Sequence, residues 1–400
     1  MPDRLIFCLD GTWNNPFISV QRDDGTTVMK PTNPLKLARA ILPVDASGTR
    51  QFTYYDSGVG ALGLYPGVSN AILQFVDSKL GGYAGAGFEA NVEQAVTHLA
   101  QNYTPDAQIY IFGFSRGAAQ TRALTRFLSW MGGVPAKSDA YYIPIFFRHY
   151  IAKRGKGSPH DITNTKGDDV PARRMVPLKV TFLGVWDTVM ALGSRFRLAE
   201  KTSVEEMSFH VGTVPADCVL NVRQALAIDE RRADFRPEIW VSAAVGQTLE
   251  QRWFAGAHGN VGGSYGNDGM ANCALHWIVD EAKAQGLEID EAFLKKYRRF
   301  SRDTLGDPNS LMYRLADTFR LKSGKGKRTL QGYPETANLS IDPSAIQRFC
   351  SDPADFPKTM TEPYRPEELV KIAKAHTSNP EAWIKSYGLN LETYLFPTDI

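Results

Sequence analysis

An apolar run, Ile109-Tyr-Ile-Phe112, breaks at Gly113-Phe-Ser115-Arg-Gly117 and passes without a linker into a segment of helical spacing. A strand, a sharp turn and a helix joined this closely form the unit of a parallel sheet with crossover helices, because the helix must pack back across the strand it leaves. Such a turn lifts the serine at its tip clear of the sheet, and the flanking glycines permit the close backbone contacts that the turn makes. Ser115 is therefore the candidate nucleophile. The helix that follows points free N–H groups and a positive dipole end at the serine, so an oxyanion formed there is stabilised, with the N–H of Arg116 as first candidate donor. The expected class is α/β, a mostly parallel sheet with helices on both faces. A chain of 400 residues, 43% of them hydrophobic, can fill that core as a single domain, 1–400.

This pattern around the serine is that of the α/β-hydrolases, in which the acid and the base follow along the chain in the order serine, aspartate, histidine. A strand expected at 178–186 ends at Asp187, where an acid partner belongs, although an aspartate there could also cap the next turn. Of the seven histidines only His258 stands in a glycine-rich loop just past a strand, Gly256-Ala-His258-Gly-Asn-Val-Gly-Gly263. Ser115, Asp187 and His258 thus each follow a strand end in the hydrolase order. The chemistry expected is attack of Ser115 on an acyl carbonyl with His258 as base and Asp187 as its orienting partner, followed by hydrolysis of the acyl-enzyme.

The first strand, 5–9, runs into Asp10-Gly-Thr-Trp. The N–H groups of Gly11 and Thr12 are candidates for the second oxyanion donor; alternatively, the Asp10 side chain ties down its own turn. Asp10-Gly-Thr also invites comparison with haloacid-dehalogenase-like phosphatases, but the place of their nucleophilic aspartate is taken by Cys8. A second strand, 51–55, ends in Asp56, which puts Asp10 and Asp56 on one sheet edge as loop or substrate support. Helical spacing is expected over 34–42, 88–103, 118–131, 221–228 and 272–284, and strands at 238–242 and 251–255. The charges of 229–232 are expected in surface or inter-element ion pairs, His98 as a surface or core histidine on a helix rather than a ligand, and His276 in packing.

The glycine-rich stretch 81–87 does not match a phosphate cradle and reads as a lid hinge or tight packing. An aromatic and then basic stretch suits a cap-like insertion at about 134–176 or an ordinary surface excursion. A charged, proline-containing extension occupies about 300–400. Its basic cluster Lys322, Lys325, Lys327 and Arg328 is either solvated or drawn to anionic lipid headgroups at a membrane surface. A net charge of +2 gives no electrostatic case for nucleic acid. Four scattered cysteines without C-x-x-C spacing give no zinc site or disulfide framework, so no metal or other cofactor is expected. The N-terminal apolar run is too short for a signal peptide and no stretch reaches transmembrane length, which points to a cytoplasmic protein.

Six motifs, Leu9-Asp-Gly-Thr-Trp-Asn-Asn15, Tyr54-Tyr-Asp-Ser-Gly-Val-Gly60, Phe112-Gly-Phe-Ser-Arg-Gly-Ala118, Gly184-Val-Trp-Asp-Thr-Val189, Ala225-Leu-Ala-Ile-Asp-Glu-Arg-Arg232 and Trp253-Phe-Ala-Gly-Ala-His-Gly-Asn-Val-Gly-Gly263, together resemble the DUF2235 family. That family includes the catalytic domain of bacterial type VI secretion lipase effectors of the Tle1 kind. The resemblance runs from about residue 4 to Leu369, ending in Tyr364-Arg-Pro-Glu-Glu-Leu369. It implies a phospholipase or esterase using Ser115, Asp187 and His258 on acyl esters of membrane glycerophospholipids, or on small-molecule esters. It further implies delivery by a secretion machine without a signal peptide, and immunity proteins as partners. The chain departs from the family at Asn260, where similar chains have Asp, at Gln224, where they have His, and at Asp342-Pro-Ser344, where a His-Pro-Ser-like stretch is usual. No stretch of these 400 residues is expected to correspond to the large membrane-binding module of the longer effectors.

Overall fold

The computed structural model describes residues 3–11, 19–21, 25–29, 31–58, 83–163, 166–167, 170, 175–190, 209–232, 235–305, 326–356 and 363–376. Thr12, Lys322, Lys325 and the start of the 81–87 glycine stretch lie outside these residues. Among the described residues one sheet holds seven strands, β1 (Arg4–Leu9), β2 (Gln51–Asp56), β3 (Gln108–Phe114), β4 (Val180–Trp186), β5 (Val219–Ala227), β6 (Thr248–Phe254) and β7 (Leu339–Ile341). All pair in parallel, in the order β7-β6-β5-β4-β3-β1-β2.

Strands buried on both faces alternate between two cores. Leu5, Phe7, Ile109 and Ile111 join one apolar cluster, whereas Ile6, Cys8, Tyr110 and Phe112 join the other. The first cluster is closed by helices α2 (Tyr83–Asn102), α3 (Arg116–Met131) and α4 (Ile143–Ala152), the second by α1 (Asn33–Ala40) and α6 (Gly269–Lys283). The described part of 134–176 packs on the α2 and α3 side, where Phe146, Phe147 and Tyr150 of α4 are buried around Phe127. A third cluster at the β6 and β7 end joins Trp253 and Ile341 to α7 (Pro343–Cys350) and α8 (Glu367–His376) through Ile346, Phe349 and Leu369.

The chain steps from β1 outward to β2, then returns to β3 on the other side of β1 and continues to β7. The order therefore reverses between β1 and β3, the position in open α/β sheets where ligands bind beyond the strand ends. The registers Leu9↔Gly113, Phe114↔Trp186 and Ala227↔Phe254 bring the C-terminal strand ends, and the residues after them, to one edge.

One expected helix and one expected strand take a different form. Residues 221–228 form most of β5 and the residue after it, not a helix. Arg, Gln, Ala and Leu favour helices in isolation, but here the segment fills the sheet between β4 and β6 and its polar side chains are paired. Gln224 is fully buried, accepts from Thr188 Oγ1 (2.6 Å) and donates to Gln251 Oε1 (2.9 Å) and the Glu238 carbonyl (3.0 Å). Residues 238–242 are extended but belong to no strand. Their backbone is held by side chains instead, with Gln251 accepting from the Trp240 N–H and donating to the Trp240 carbonyl.

Candidate active site

Ser115 sits at the junction of β3 and α3 with φ 58 and ψ −122, a backbone conformation that a non-glycine residue adopts only when its surroundings enforce it. The enforcement comes from two glycines. A Cβ on Gly117 would lie 2.3 Å from the Leu9 carbonyl oxygen and 2.5 Å from that of Asp10, and one on Gly113 would lie 2.7 Å from the Gly117 carbonyl oxygen. The start of α3 is thus pressed against the end of β1, and the serine is pushed out at the tip. Its N–H donates to the Trp186 carbonyl (3.0 Å), which ties the turn to the end of β4.

Asp187 follows β4 directly and is itself left-handed, with φ 45. Its carboxylate is completely buried and meets four donors. Oδ1 accepts from the Ala227 N–H (3.0 Å) and Arg328 Nη1 (2.5 Å); Oδ2 accepts from Arg328 Nη2 (2.9 Å) and lies 2.5 Å from Nδ1 of His258. Burial acts to raise the carboxyl, but Arg328 and His258 outweigh it and hold Asp187 well below the usual carboxylate range.

His258 opens a short helix, α5 (His258–Gly262), where a glycine-rich loop was expected. Asn260 accounts for the turn, because its Oδ1 accepts from the Ala257 N–H (3.2 Å), a contact an aspartate could make equally. The imidazole is flanked by Phe114, the residue before Ser115, at 4.6 Å between ring centroids, and by the edge-on ring of Phe235 at 5.0 Å. Nε2 is buried and has no hydrogen-bond partner among the described residues, so the nitrogen opposite Asp187 remains free for a proton from elsewhere. Burial lowers the imidazole below its ordinary value of 6.5, and the Asp187 contact offsets only part of that. The imidazole is therefore neutral at neutral pH.

Residues 229–232 brace the histidine rather than form surface ion pairs alone. Asp229 Oδ2 accepts from the Gly256 N–H and from the hydroxyl of Tyr364 (both 2.6 Å). Glu230 is buried, pairs with Arg232 through both oxygens (2.8 and 2.7 Å), and accepts from the His258 N–H (3.3 Å). The Arg232 guanidinium in turn lies 3.5 Å over the Phe235 ring.

The residues proposed for the other side of the site divide. Gly11 donates its N–H to Oδ1 of Asp10 (2.7 Å), so in this conformation it is not available as an oxyanion donor, and the alternative in which Asp10 ties down its own turn is the one observed. Asp10 also accepts from Thr32 Oγ1 (2.5 Å) and the Tyr55 hydroxyl (2.8 Å), which makes it a buried anchor between β1, β2 and α1. Asp56 lies beside it, its N-terminal neighbour strand bonded so that the Asp10 N–H meets the Asp56 carbonyl (2.9 Å). Burial, and then the charge of Asp10, push the Asp56 carboxyl up to about 6. Arg116 is the first residue of α3, its N–H at the helix start beside Ser115. Among the described residues no group of three or more His, Cys, Asp and Glu side chains is placed to hold a metal ion.

Sequence reasoning missed Arg328, which stood in a basic cluster read as solvated or lipid-facing. The structure separates the cluster: Lys327 is exposed and pairs with Glu367 (2.6 Å), whereas Arg328 is buried against Asp187. Tyr364, noted only as part of a terminal motif, likewise reaches the loop before His258. No sequence signal marks either residue, since both act across more than a hundred intervening positions.

A parallel, helix-flanked sheet carrying a strained serine at its order reversal and a buried Asp-His pair beside it defines an α/β-hydrolase-like protein. The chain belongs to the family described as "T6SS, Phospholipase effector Tle1-like, catalytic domain", whose model matches residues 3–281. A protein of Saccharomyces cerevisiae described as uncharacterized is 25% identical over 244 residues, 58% of this chain but 32% of that protein, so the chain spans about a third of the length of this relative. Among solved structures, the Tle1 effector bound to the VgrG spike of the type 6 secretion system is 16% identical with a TM-score of 0.45, covering 84% of this chain and 83% of that one. An uncharacterized protein from Pseudomonas aeruginosa is also 16% identical, with a TM-score of 0.43 over 97% of this chain and 60% of its own.

Proposed function

We propose that the protein is a serine hydrolase that cleaves carboxylic esters of membrane glycerophospholipids through an acyl-enzyme. The observation that carries this reading is the pairing of the strained Ser115 turn with a buried His258 whose Nδ1 is bonded to Asp187 and whose Nε2 is unpartnered. Nε2 of His258 takes the proton from Ser115 as Oγ forms its bond to the acyl carbon, and the Arg116 N–H stabilises the resulting oxyanion. The second donor comes from the loop after β1, with Thr12 as candidate now that Gly11 is engaged. Collapse of the tetrahedral adduct passes the proton to the departing alcohol. Water, deprotonated by the same histidine, then releases the fatty acid.

The phospholipid substrate and delivery by a type VI secretion machine rest on family membership. Among the described residues no helix is long and apolar enough to cross a membrane; of the basic cluster, the exposed Lys327 is a candidate contact for anionic headgroups. A cognate immunity protein is expected as a partner on the same ground.

The test compares wild type with Ser115→Ala on a short p-nitrophenyl ester and on phospholipid vesicles. Serine-dependent release of fatty acid from vesicles is the expected result. Hydrolysis of the soluble ester alone would make the protein a short-acyl esterase, and failure of a fluorophosphonate to label Ser115 in the folded protein would leave a non-catalytic binding module.

A further inference from the structure

Arg328 departs from what a Ser-His-Asp site needs. An orienting aspartate requires one oxygen for the histidine and neutral donors for the other, and the Ala227 N–H already supplies such a donor. Here a guanidinium grips both oxygens as well, in the two-point geometry that fixes a carboxylate's plane. The same guanidinium donates to the carbonyls of Ala227 (2.8 Å) and Phe235 (2.7 Å). It therefore also holds the backbone whose ring packs edge-on against His258. This arginine lies beyond residues 3–281, in a segment anchored by the bond from the Gly326 N–H to the Arg231 carbonyl (2.9 Å) and by the burial of Leu330 in the third cluster.

We propose that Arg328 is a positioning residue that fixes the Asp187 carboxylate toward His258 and sets a permanent positive charge behind it, so that the site is complete only with the C-terminal segment docked. This rests on the reading of Asp187 and His258 as the acid and base of the hydrolase.

The charged groups that face His258 are Asp187 after β4 and Glu230 and Arg232 after β5; α5 itself carries none, and Arg328 from the docked segment stands behind Asp187, bonded to both of its oxygens. Asp187 and Glu230 favour the imidazolium and Arg232 opposes it, while the Arg328 guanidinium, held on the Asp187 carboxylate, counters that carboxylate's pull on the proton. Neutralising Arg328 thus strengthens the proton's hold on His258, and a base that must be neutral then loses activity at a higher pH.

The experiment measures kcat and KM for a short p-nitrophenyl ester from pH 5 to 9, together with an NMR titration of the His258 imidazole, in Arg328→Lys, Arg328→Gln and wild type. Arg328→Gln is expected to raise the imidazole's titration midpoint and the acid limb of kcat/KM by about one pH unit. Arg328→Lys keeps the charge but not the two-point grip, and is expected to lower kcat about tenfold or more at unchanged KM, with the limb in place. Rescue of the pH profile by lysine but not by glutamine is an outcome that a merely structural role would not give. A folded Arg328→Gln with the wild-type His258 titration, or a folded Arg328→Lys with wild-type kcat, overturns the proposal. The titration reads Arg328 without reference to turnover. Persistent activity in Ser115→Ala would sink the hydrolase reading, whereas an unmoved titration sinks the role of Arg328 alone.

Discussion

Replacing Asp187 with asparagine alters both turnover and stability, and the hydrogen-bond geometry sets the size of each change. The carboxylate accepts from the Ala227 N–H, from two guanidinium nitrogens and from His258 Nδ1. An asparagine offers one oxygen and an NH2 group, so in either orientation the NH2 faces donors. With the NH2 toward His258, the imidazole must present a lone pair at Nδ1 and carry its proton on Nε2, where it can no longer accept one from Ser115. With the NH2 toward Ala227, a backbone N–H is left buried and unpaired. The expected loss of turnover is about ten-thousand-fold, the cost of a wrong tautomer in such a site. Arg328 adds a second cost, because its buried charge loses its anion. Removing one member of a buried ion pair costs about 3–5 kcal/mol, which is large against a total stability of about 5–15 kcal/mol. The assay pairs ester hydrolysis near pH 8 with urea unfolding of wild type, Asp187→Asn, Arg328→Met and the double variant. The double variant is expected to recover stability relative to Asp187→Asn but no turnover, because the orphaned charge is gone and the acid is still missing. Near wild-type turnover in Asp187→Asn would refute the orienting role. Unchanged stability in both single variants would refute the argument from the buried pair.

Three further outcomes follow from the same geometry. Gly117→Ala places a methyl against the backbone oxygens of Leu9 and Asp10, which cannot swing aside. It is expected to cost about 1–3 kcal/mol and, by moving the serine turn, about a hundredfold in kcat, read by thermal unfolding and initial rates. The rate should hold as pH falls through 6.5 and decline only below it, because burial lowers His258 and the base stays neutral further into acid; a limb above 6.5 in wild type contradicts this. Thiol reagents at pH 8 should spare Cys8, Cys218 and Cys273 in the folded protein. All three are buried, with burial pushing Cys218 up to about 11, Cys273 to about 12 and Cys8 higher still, and labelling detected by mass spectrometry before unfolding would contradict that.

Much of the site was legible because its signals are local. The serine turn is written in one strand-to-helix junction, and the steric need for Gly113 and Gly117 shows up as two letters beside Ser115. Asp187 and His258 could be singled out because a parallel sheet brings the ends of all its strands to one edge, so a position just after a strand is enough to put a residue there. The same rule does not reach Gly11, whose N–H is bonded to the neighbouring Asp10 carboxylate, a choice made by side-chain geometry and not by strand order.

Residues 221–228 show where local preference ends. Their composition favours a helix, and only the gap between β4 and β6, with Thr188, Glu238 and Gln251 ready to pair with Gln224, makes them a strand. Arg328 and Tyr364 are the plainest cases. In the sequence they are one basic residue in a charged loop and one tyrosine in a terminal motif. In the folded chain they are the partners of Asp187 and Asp229, because the C-terminal segment docks on the third core. Periodicity and turn chemistry act over a few residues and can be read in order along the chain. The burial of a charge against a partner more than a hundred residues away depends on how the layers close, and tertiary structure alone decides it.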